Sequence, residues 1–387
     1  MADAARRPRI LSISFSDINR DARVLRQIEV LAELGEVTTL GYGTKPAVAT
    51  EHLELDESAF SLPQTPSGVA LLALHLFNVV ELRAPAVKAG LKVVGDRRYD
   101  LIVANEARAM AFADKIAHGT PILADMHEWA PEERAQVLQW RLLVKPFMTH
   151  QCKKYLSKMS AVTVVNDSIG KLYKEHFGID AHTVRNAGAF KDKQPSEMQP
   201  GRIRLVHSGV AIPGRNLETL IEAVKQLPEK YTLDLYLVPG RDGGKYLASI
   251  RELIGADDKR ITIHPPVKPT ELVDTLNAYD LGIYSLPPLT PNHRLMLPNK
   301  IFDFVQARLG VVFATAVETD RLITEHGFGA IAPDASVAAM RDTLANLDED
   351  QVRQFKQNAH KAAGVLNSAE DSATVRRVAG ELLDSRK

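Results

Sequence analysis

The feature that most constrains the fold of this chain is an alternation of short apolar runs with helical patterns along its 387 residues. The runs are rich in Val, Ile and Leu and lack strict polar alternation, as is typical of strands buried on both faces of a parallel sheet. The predicted strands are 9–14, 36–40, 100–104, 122–125, 161–165, 203–207, 232–238, 260–263, 280–284 and 311–314. Two such arrays in succession predict an α/β fold of two doubly wound domains facing a cleft.

The segments between the runs carry apolar residues at three- and four-residue spacing, which predicts helices. The clearest covers 21–34, with Asp21 as its cap and Gly35 as its stop. Further helices are predicted over 217–227, 245–254, 270–277 and 299–308, and the tail from 346 is helical in pattern. Ligands of doubly wound folds bind where strands end and helices begin, so candidate residues are sought there.

The polar segment 191–201, which contains Pro195 and Pro200, predicts a linker between the domains. The first domain is then 1–190 and the second 202–365. Residues 366–387 form a C-terminal helix, which we expect to pack back toward the first domain.

Charge and cysteine content exclude several classes of protein. The chain has 48 Lys plus Arg and 48 Asp plus Glu, so it lacks the basic excess of a general nucleic-acid binder. Its single cysteine, Cys152, excludes an internal disulfide and indicates a reducing compartment. No apolar region of signal-peptide length follows the N-terminal arginines, and the most apolar stretch, 69–80, is too short to span a bilayer. We therefore expect a cytoplasmic protein.

Several common sites are absent from the sequence. No G-x-G-x-x-G follows the first strand, and no P-loop or zinc-protease motif occurs. No Asp-x-Asp pair lies in a polar loop after a strand, so no metal site is predicted. A negatively charged group must then be bound by cationic side chains and helix N-termini.

Two segments of the second domain carry such cations. In 207–218 a strand is followed by a loop with Gly209 and by a helix start, where Arg215 can bind phosphate oxygens. The alternative is an ordinary loop with a solvated arginine. In 297–304 a proline precedes a helix whose first turn places Lys300 and Asp303 on one face. An ammonium there suits phosphate and a carboxylate suits ribose hydroxyls; the alternative is a solvent-facing ion pair.

Two features stand out in the first domain. His127 follows the strand 122–125 directly and can donate to a sugar hydroxyl, although a packed or capping histidine is equally consistent with its position. The segment 140–158 is basic and amphipathic, so it suits either an anionic membrane surface or an ordinary surface helix. Cys152 lies in it without a catalytic signature.

These segments resemble a known family, the retaining GT-B glycosyltransferases of the glycosyltransferase family 4 type (group 1). The donor-side stretches PGRNLETLIEAV and LPNKIFDFVQARLGVV are similar to its signatures. The stretches DARVLRQIEVLAELGEVTTLGYG, ILADMHEW and SAVTVVNDSIGKLY resemble its acceptor side. The resemblance implies two Rossmann-like domains, an acceptor-side one and a nucleotide-sugar-binding one.

The resemblance also implies roles for individual residues. Arg215 and Lys300 match the family's phosphate-binding cations, Asp303 its ribose-binding acid and His127 its sugar-contacting histidine. By analogy the loops 238–244 and 265–267 flank the base. The full set of implied donor-binding residues is Gly209, Arg215, Asn216, Val238, Gly240, Pro266, Val267, Pro298, Asn299, Lys300 and Asp303, with His127, Arg215 and Lys300 in the catalytic role.

Two departures separate the chain from the family pattern. Many members carry two glutamates separated by seven residues, where this sequence has Leu295 and Asp303. Many members also have paired glycines after the first strand, where this sequence has the loop 14–19. The sugar contacts and the approach to the diphosphate therefore differ from the common pattern.

The function implied is that of a hexosyltransferase-type enzyme. It moves a sugar from a nucleoside-diphosphate donor to a glycan, lipid-linked or small-molecule acceptor, with retention and without metal or other cofactor. The alternatives are a nucleotide-sugar epimerase or hydrolase of the same fold and a non-catalytic sugar-binding protein. A peripheral contact with the inner face of the membrane through 140–158 is compatible with the first reading, and no nucleic-acid partner is expected.

Overall fold

The computed structural model describes residues 6–240, 242–255 and 258–385, which divide into two compact units. The first contains the described residues of Met1–Arg185, Thr290–Asn292 and Glu370–Lys387. The second contains those of Asn186–Leu289 and His293–Ala369. The chain thus passes from the first unit to the second just before the segment 191–201, which has no helix or strand.

The first unit is built on a parallel sheet of seven strands in the order β3-β2-β1-β4-β5-β6-β7. The strands are β1 (Arg9–Asp17), β2 (Glu36–Tyr42), β3 (Glu51–Leu55), β4 (Leu101–Asn105), β5 (Ile122–Met126), β6 (Ala161–Val164) and β7 (His182–Thr183). Its helices are α1 (Ala22–Leu34), α2 (Pro66–Ala73), α3 (Phe77–Val80), α4 (Pro85–Val94), α5 (Ala107–Ala117), α6 (Lys145–Tyr155) and α7 (Asp167–Phe177). The strand order reverses between β1 and β4, which is where a doubly wound sheet opens its crevice.

The second unit has a parallel sheet of six strands in the order β10-β9-β8-β11-β12-β13. They are β8 (Ile203–Ala211), β9 (Tyr231–Pro239), β10 (Ile261–His264), β11 (Leu281–Tyr284), β12 (Gly310–Ala314) and β13 (Gly329–Ala332). The helices are α8 (Leu217–Lys225), α9 (Lys245–Ile254), α10 (Pro269–Leu276), α11 (Pro291–Arg294), α12 (Asn299–Gln306), α13 (Val317–His326), α14 (Val337–Ala345) and α15 (Glu349–Ala362). Here the order reverses between β8 and β11.

The last helix, α16 (Ser368–Asp384), contributes core to the first unit. Val378, Ala379 and Leu383 are buried in one cluster with Ile28 and other residues of the first sheet and α1. Burial of this apolar face, at about 25 cal/mol per Å², holds the helix in place. This C-terminal helix was predicted to begin at 366 and begins at Ser368.

The α/β fold with two doubly wound sheets is confirmed, and each of the ten predicted strands coincides with an observed one. Asp21 caps α1 as expected, since its side chain accepts from the backbone N–H of Val24. The strands β3, β7 and β13 escaped prediction because they are short or lack a continuous apolar run. Several strands run past their predicted ends, as β1 and β2 do. The largest difference near the candidate residues is that the strand predicted to end at His207 continues to Ala211, because residues 208–211 go on pairing with β9.

The segment 140–158 is not one regular amphipathic helix. A π-helical turn, Trp140–Val144, leads into α6, and a short 3-10 helix follows. Phe147, Met148 and Cys152 of α6 are buried, so its apolar face belongs to the core of the first unit. Burial raises the pKa of the Cys152 thiol to about 12, which keeps it protonated and unreactive. Within the described residues, no helix is long and apolar enough to cross a membrane.

Candidate functional site

The carboxyl ends of β8 and β11 form the crevice of the second unit, and the predicted donor residues gather there. Gly209 lies near the carboxyl end of β8, and the loop after this strand leads to Arg215 and α8. Lys300 lies in the first turn of α12. Since β8 and β11 are paired neighbours, these three residues come from elements that meet at the point where the strand order reverses.

Gly209 allows Lys300 to approach the strand. A methyl group placed on Gly209 would lie 2.9 Å from the Nζ atom of Lys300, and the φ angle of this glycine is +153°. A side chain here would be strained by the backbone and would also displace the ammonium group. Gly209 was expected in a loop but lies in β8, where the lack of a side chain makes room for the cation.

Lys300 is half-buried near the start of α12, which follows Pro298 at its N-cap position. Burial, together with the positive charge of Arg215, lowers the pKa of Lys300 to about 8. Asp303 acts in the opposite direction. Asp303, one turn along α12, is half-buried as well. A partly desolvated ammonium beside a second cation is poised to gain from an anion.

Arg215 and Asn216 form the turn that starts α8. Asn216 has a φ of 58°, and its side-chain amide donates to the Oγ of Ser285 at 3.1 Å and to the carbonyl of Ala335 at 3.0 Å. That side chain does not cap α8, so the N-cap residue leaves the first N–H groups of the helix for another partner. Arg215 is exposed, and its Nη1 donates to the hydroxyl of Tyr284 at 3.4 Å.

His207 is a residue of this site that sequence reasoning did not assign. It is 2% exposed, and its Nδ1 donates to the carbonyl of Ile283 at 2.9 Å. Burial lowers its pKa to about 3, and the charges of Lys300 and Arg215 act in the same direction. His207 is therefore neutral at pH 7. Its position at the end of a predicted strand was the one available signal.

The predicted base-flanking residues lie on the same edge of the sheet. Val238 is 43% exposed at the end of β9. Gly240 packs closely on the end of β8, since a methyl group there would lie 2.7 Å from the carbonyl oxygen of Ala211. Pro266 and Val267 follow β10, and Pro266 is exposed. Pro266 and Val267 therefore lie at the β10 edge of the sheet, which is separated from β11 and Lys300 by β9 and β8.

In the first unit, His127 follows β5 as predicted, and Asp125 lies behind it. The Nε2 of His127 is 3.3 Å from Oδ2 of Asp125. Burial alone would raise the pKa of Asp125, but Arg23 and His127 beside it hold the pKa well below its usual range. Arg23 donates from Nε to Asp125 at 2.9 Å, and Thr163 donates to it at 2.7 Å. This buried carboxylate lies within ion-pair distance of the imidazole on one side.

Glu106 approaches His127 from the other side. Its Oε1 is 3.8 Å from Nδ1 of His127, and its carboxylate pairs with Arg108. Glu106 has a φ of +67°, a conformation that costs a non-glycine residue of order 1–3 kcal/mol. Such strain concentrates at functional sites. Sequence reasoning missed Glu106 because nothing in the residue type signals a left-handed backbone.

Among the described residues, no three or more His, Cys, Asp or Glu side chains are grouped so that they could hold a metal ion. The acidic groups near the candidate residues are instead paired with cations or histidine, as Asp125 and Glu106 are.

Comparisons with known proteins place this geometry on a known fold. No protein-family model and no curated protein matches the chain. Among solved structures, HepE of Anabaena in complex with UDP-glucose has a TM-score of 0.70 at 15% identity, covering 97% of this chain and 100% of that one. Sucrose-phosphate synthase from Thermosynechococcus elongatus also gives 0.70 at 15% identity, covering 98% and 100%. A UDP-forming trehalose-phosphate synthase from Burkholderia vietnamiensis gives 0.66 at 13%, covering 97% and 100%. The chain therefore has the GT-B fold.

Proposed function

We propose that the protein is a glycosyltransferase that uses a nucleoside-diphosphate sugar as donor. The observation that carries the proposal is the pair of cations, Arg215 and Lys300, at the crevice where β8 and β11 diverge. Both lie at the start of a helix, where backbone N–H groups and the helix dipole favour an anion. The similarity to structures solved with UDP-glucose and to sugar-phosphate synthases supports the same class of donor.

The chemistry follows from where charge develops. As the bond between the sugar C1 and the phosphate oxygen breaks, negative charge accumulates on the diphosphate and the sugar becomes oxocarbenium-like. Arg215, Lys300 and the start of α8 would stabilise that charge without a metal. The acceptor oxygen bonds to C1, and its proton passes to the leaving phosphate. From the resemblance to family 4, we propose attack on the same face with retention, with His127 contacting the sugar and Asp303 the ribose.

Alanine variants of the two cations test this proposal. Arg215→Ala and Lys300→Ala should each lower transfer by about 100–1,000-fold, the usual loss when one donor to a developing anion is removed. Lys361→Ala, an exposed lysine on α15 of the same unit, is the matched control and should leave transfer unchanged. Circular dichroism and melting temperature establish that all three remain folded.

The products of the same assay decide between enzyme classes. Transfer gives a glycoside together with the nucleoside diphosphate. An isomerised nucleotide sugar would identify an epimerase, and free sugar without dependence on acceptor would identify a hydrolase. Binding of the donor without turnover would identify a sugar-binding protein. Near wild-type transfer in both alanine variants would contradict the assignment of the cations.

We also propose that the first unit contacts an anionic membrane, although not through the buried face of α6. Seven of the fifteen large apolar residues that are exposed in the described chain are Val69, Leu74, Leu76, Val79, Val137, Leu138 and Leu142. The elements that carry them adjoin, since α2 packs on the π-helical turn and the Phe77 ring of α3 lies 6.0 Å from that of Phe147. Residues 134–166 contain six Lys or Arg and no Asp or Glu. Three of the six, Lys145, Lys154 and Lys158, pair with acidic side chains from outside this segment, so the basic character of the surface rests on the exposed Arg134, Arg141 and Lys153. An apolar surface beside a basic one suits an anionic bilayer.

Sedimentation with vesicles tests the membrane contact. Wild-type protein should bind vesicles containing phosphatidylglycerol and bind pure phosphatidylcholine far less. Leu138→Asp and Leu142→Asp should abolish binding, because each places a negative charge in the apolar surface. Val365→Asp, at an exposed valine of the second unit, is the control. Equal binding by all variants, or none by wild type, would contradict this contact.

A further inference from the structure

We propose that Tyr284 is a positioning residue that holds Arg215 and Lys300 in place for the diphosphate. The inference rests on the proposed function and deepens it. Tyr284 is the last residue of β11 and is 1% exposed. Its hydroxyl oxygen accepts from Nη1 of Arg215 at 3.4 Å, and Nζ of Lys300 lies 5.4 Å from the centre of its ring. One side chain thus contacts both cations.

The chemistry of tyrosine suits this role. Two cations that face one anion repel each other when the anion is absent, and a carboxylate between them would compete with the diphosphate. The ring face of a tyrosine attracts an ammonium through its quadrupole, and its oxygen accepts a hydrogen bond, yet the residue adds no net charge. Burial raises the pKa of Tyr284, so the hydroxyl stays neutral. Both cations therefore keep their charge for the ligand.

The ring of Tyr284 is itself fixed by its neighbours. It lies parallel to the ring of His207, with an interplanar angle of 5° and centres 6.0 Å apart. The hydrogen bond from Nδ1 of His207 to the carbonyl of Ile283 holds that imidazole against β11. The ring of Phe313 on β12 is 5.3 Å from that of Tyr284. This packing sets the plane against which Lys300 rests, so Tyr284 acts through the cations and need not touch the substrate.

Two substitutions separate the two contacts. Tyr284→Phe keeps the ring and removes the hydroxyl, so it should weaken donor binding by about two- to tenfold, the range of one hydrogen bond. Tyr284→Leu also removes the ring face. This variant should bind the donor still more weakly. It should also lower the pKa of Lys300 by about 0.5 or more, because the ammonium loses a favourable contact with the ring.

Matched controls come from the same unit. Tyr231→Phe removes another buried hydroxyl, one that donates to the carbonyl of Leu344 at 2.7 Å. Tyr231→Leu also removes its ring, which lies at the start of β9, away from the carboxyl ends of the strands. Both controls should reduce stability as much as the Tyr284 variants and leave donor affinity and the Lys300 titration near wild type.

The experiment has two independent readouts. The first is calorimetric binding of UDP-glucose, GDP-glucose, ADP-glucose and inorganic pyrophosphate. The second needs no ligand: the pH dependence of Lys300 acetylation by acetic anhydride, followed by mass spectrometry. Weaker binding in both variants with an earlier Lys300 titration in Tyr284→Leu is the expected result. A Lys300 titration unchanged in Tyr284→Leu, or controls with the same effects, would overturn the inference. Failure of wild type to bind any of the probes would overturn the proposed function instead, and the acetylation profile would still decide the role of Tyr284.

Discussion

At the scale of single residues, the candidate donor site contains side chains with lowered pKa values and a residue with a positive φ angle. His207 is neutral because burial and two neighbouring cations disfavour its charged form. Lys300 keeps its charge at pH 7 with little margin, since its pKa falls to about 8. Motif spacing indicated Lys300 and Arg215, but burial of His207 and Tyr284 could only come from the folded chain.

The lowered pKa of Lys300 predicts a pH dependence with opposite signs for binding and stability. Above pH 8 the folded protein loses this cation, so affinity for UDP-glucose should fall as pH rises through 8. From pH 8 to 10.5 the unfolded chain binds the proton more tightly than the folded one, so this group makes stability rise with pH. Calorimetric titration and chemical denaturation measure the two trends.

Lys300→Arg is the control for that prediction, because guanidinium stays charged throughout the range. In this variant the loss of affinity above pH 8 should disappear. A decline of the same size in Lys300→Arg would assign the titration to another group.

The backbone of Glu106 gives a second prediction at this scale. Glu106→Gly should raise the free energy of unfolding by about 1 kcal/mol, because glycine adopts a φ of +67° without strain. Glu106→Ala removes the same carboxylate and keeps the strain, so it should not stabilise the protein. Urea denaturation of both variants checks this. Equal stability of the two would mean that the backbone carries no strain.

At the scale of elements, apolar runs and helical spacing predicted ten strands and the principal helices, because burial on both faces leaves a continuous apolar signal. The apolar pattern did not predict strands whose side chains are only partly buried. In β3 polar residues alternate with buried ones, and β7 has only two residues. The basic stretch 140–158 showed that composition cannot tell which face of a helix is buried: it suited either a membrane surface or an ordinary surface helix, and in the structure α6 buries its apolar side.

The helix α16 predicts an effect on the stability of the first unit. Val378→Asp should destabilise it by several kcal/mol, because Val378 is 2% exposed and an unpaired charge would be buried. Val365→Asp, at a valine that is 57% exposed, should change stability by less than about 0.5 kcal/mol. Thermal unfolding followed by circular dichroism measures both. Similar melting temperatures for the two variants would show that α16 contributes little core.

At the scale of the whole molecule, the alternation of apolar runs and helical patterns predicted two doubly wound sheets, and the resemblance of the motifs predicted the GT-B fold. The strand order of the second unit places its crevice where donor residues were expected. The sugar and the acceptor depend on particular side chains, and Leu295 before α12 and Asp303 within α12 depart from the pattern of the family that the sequence resembles. A fold shared at 15% identity does not fix those contacts.

The proposed binding of a nucleotide-sugar diphosphate by cationic side chains, rather than by a metal, can be measured by calorimetric titration. Wild type and Lys300→Ala are titrated with UDP-, GDP- and ADP-glucose in the presence of EDTA. Wild type should bind at least one donor in EDTA, and Lys300→Ala should bind it at least tenfold more weakly. Binding that requires a divalent cation, or equal affinity in the two proteins, would contradict this proposal.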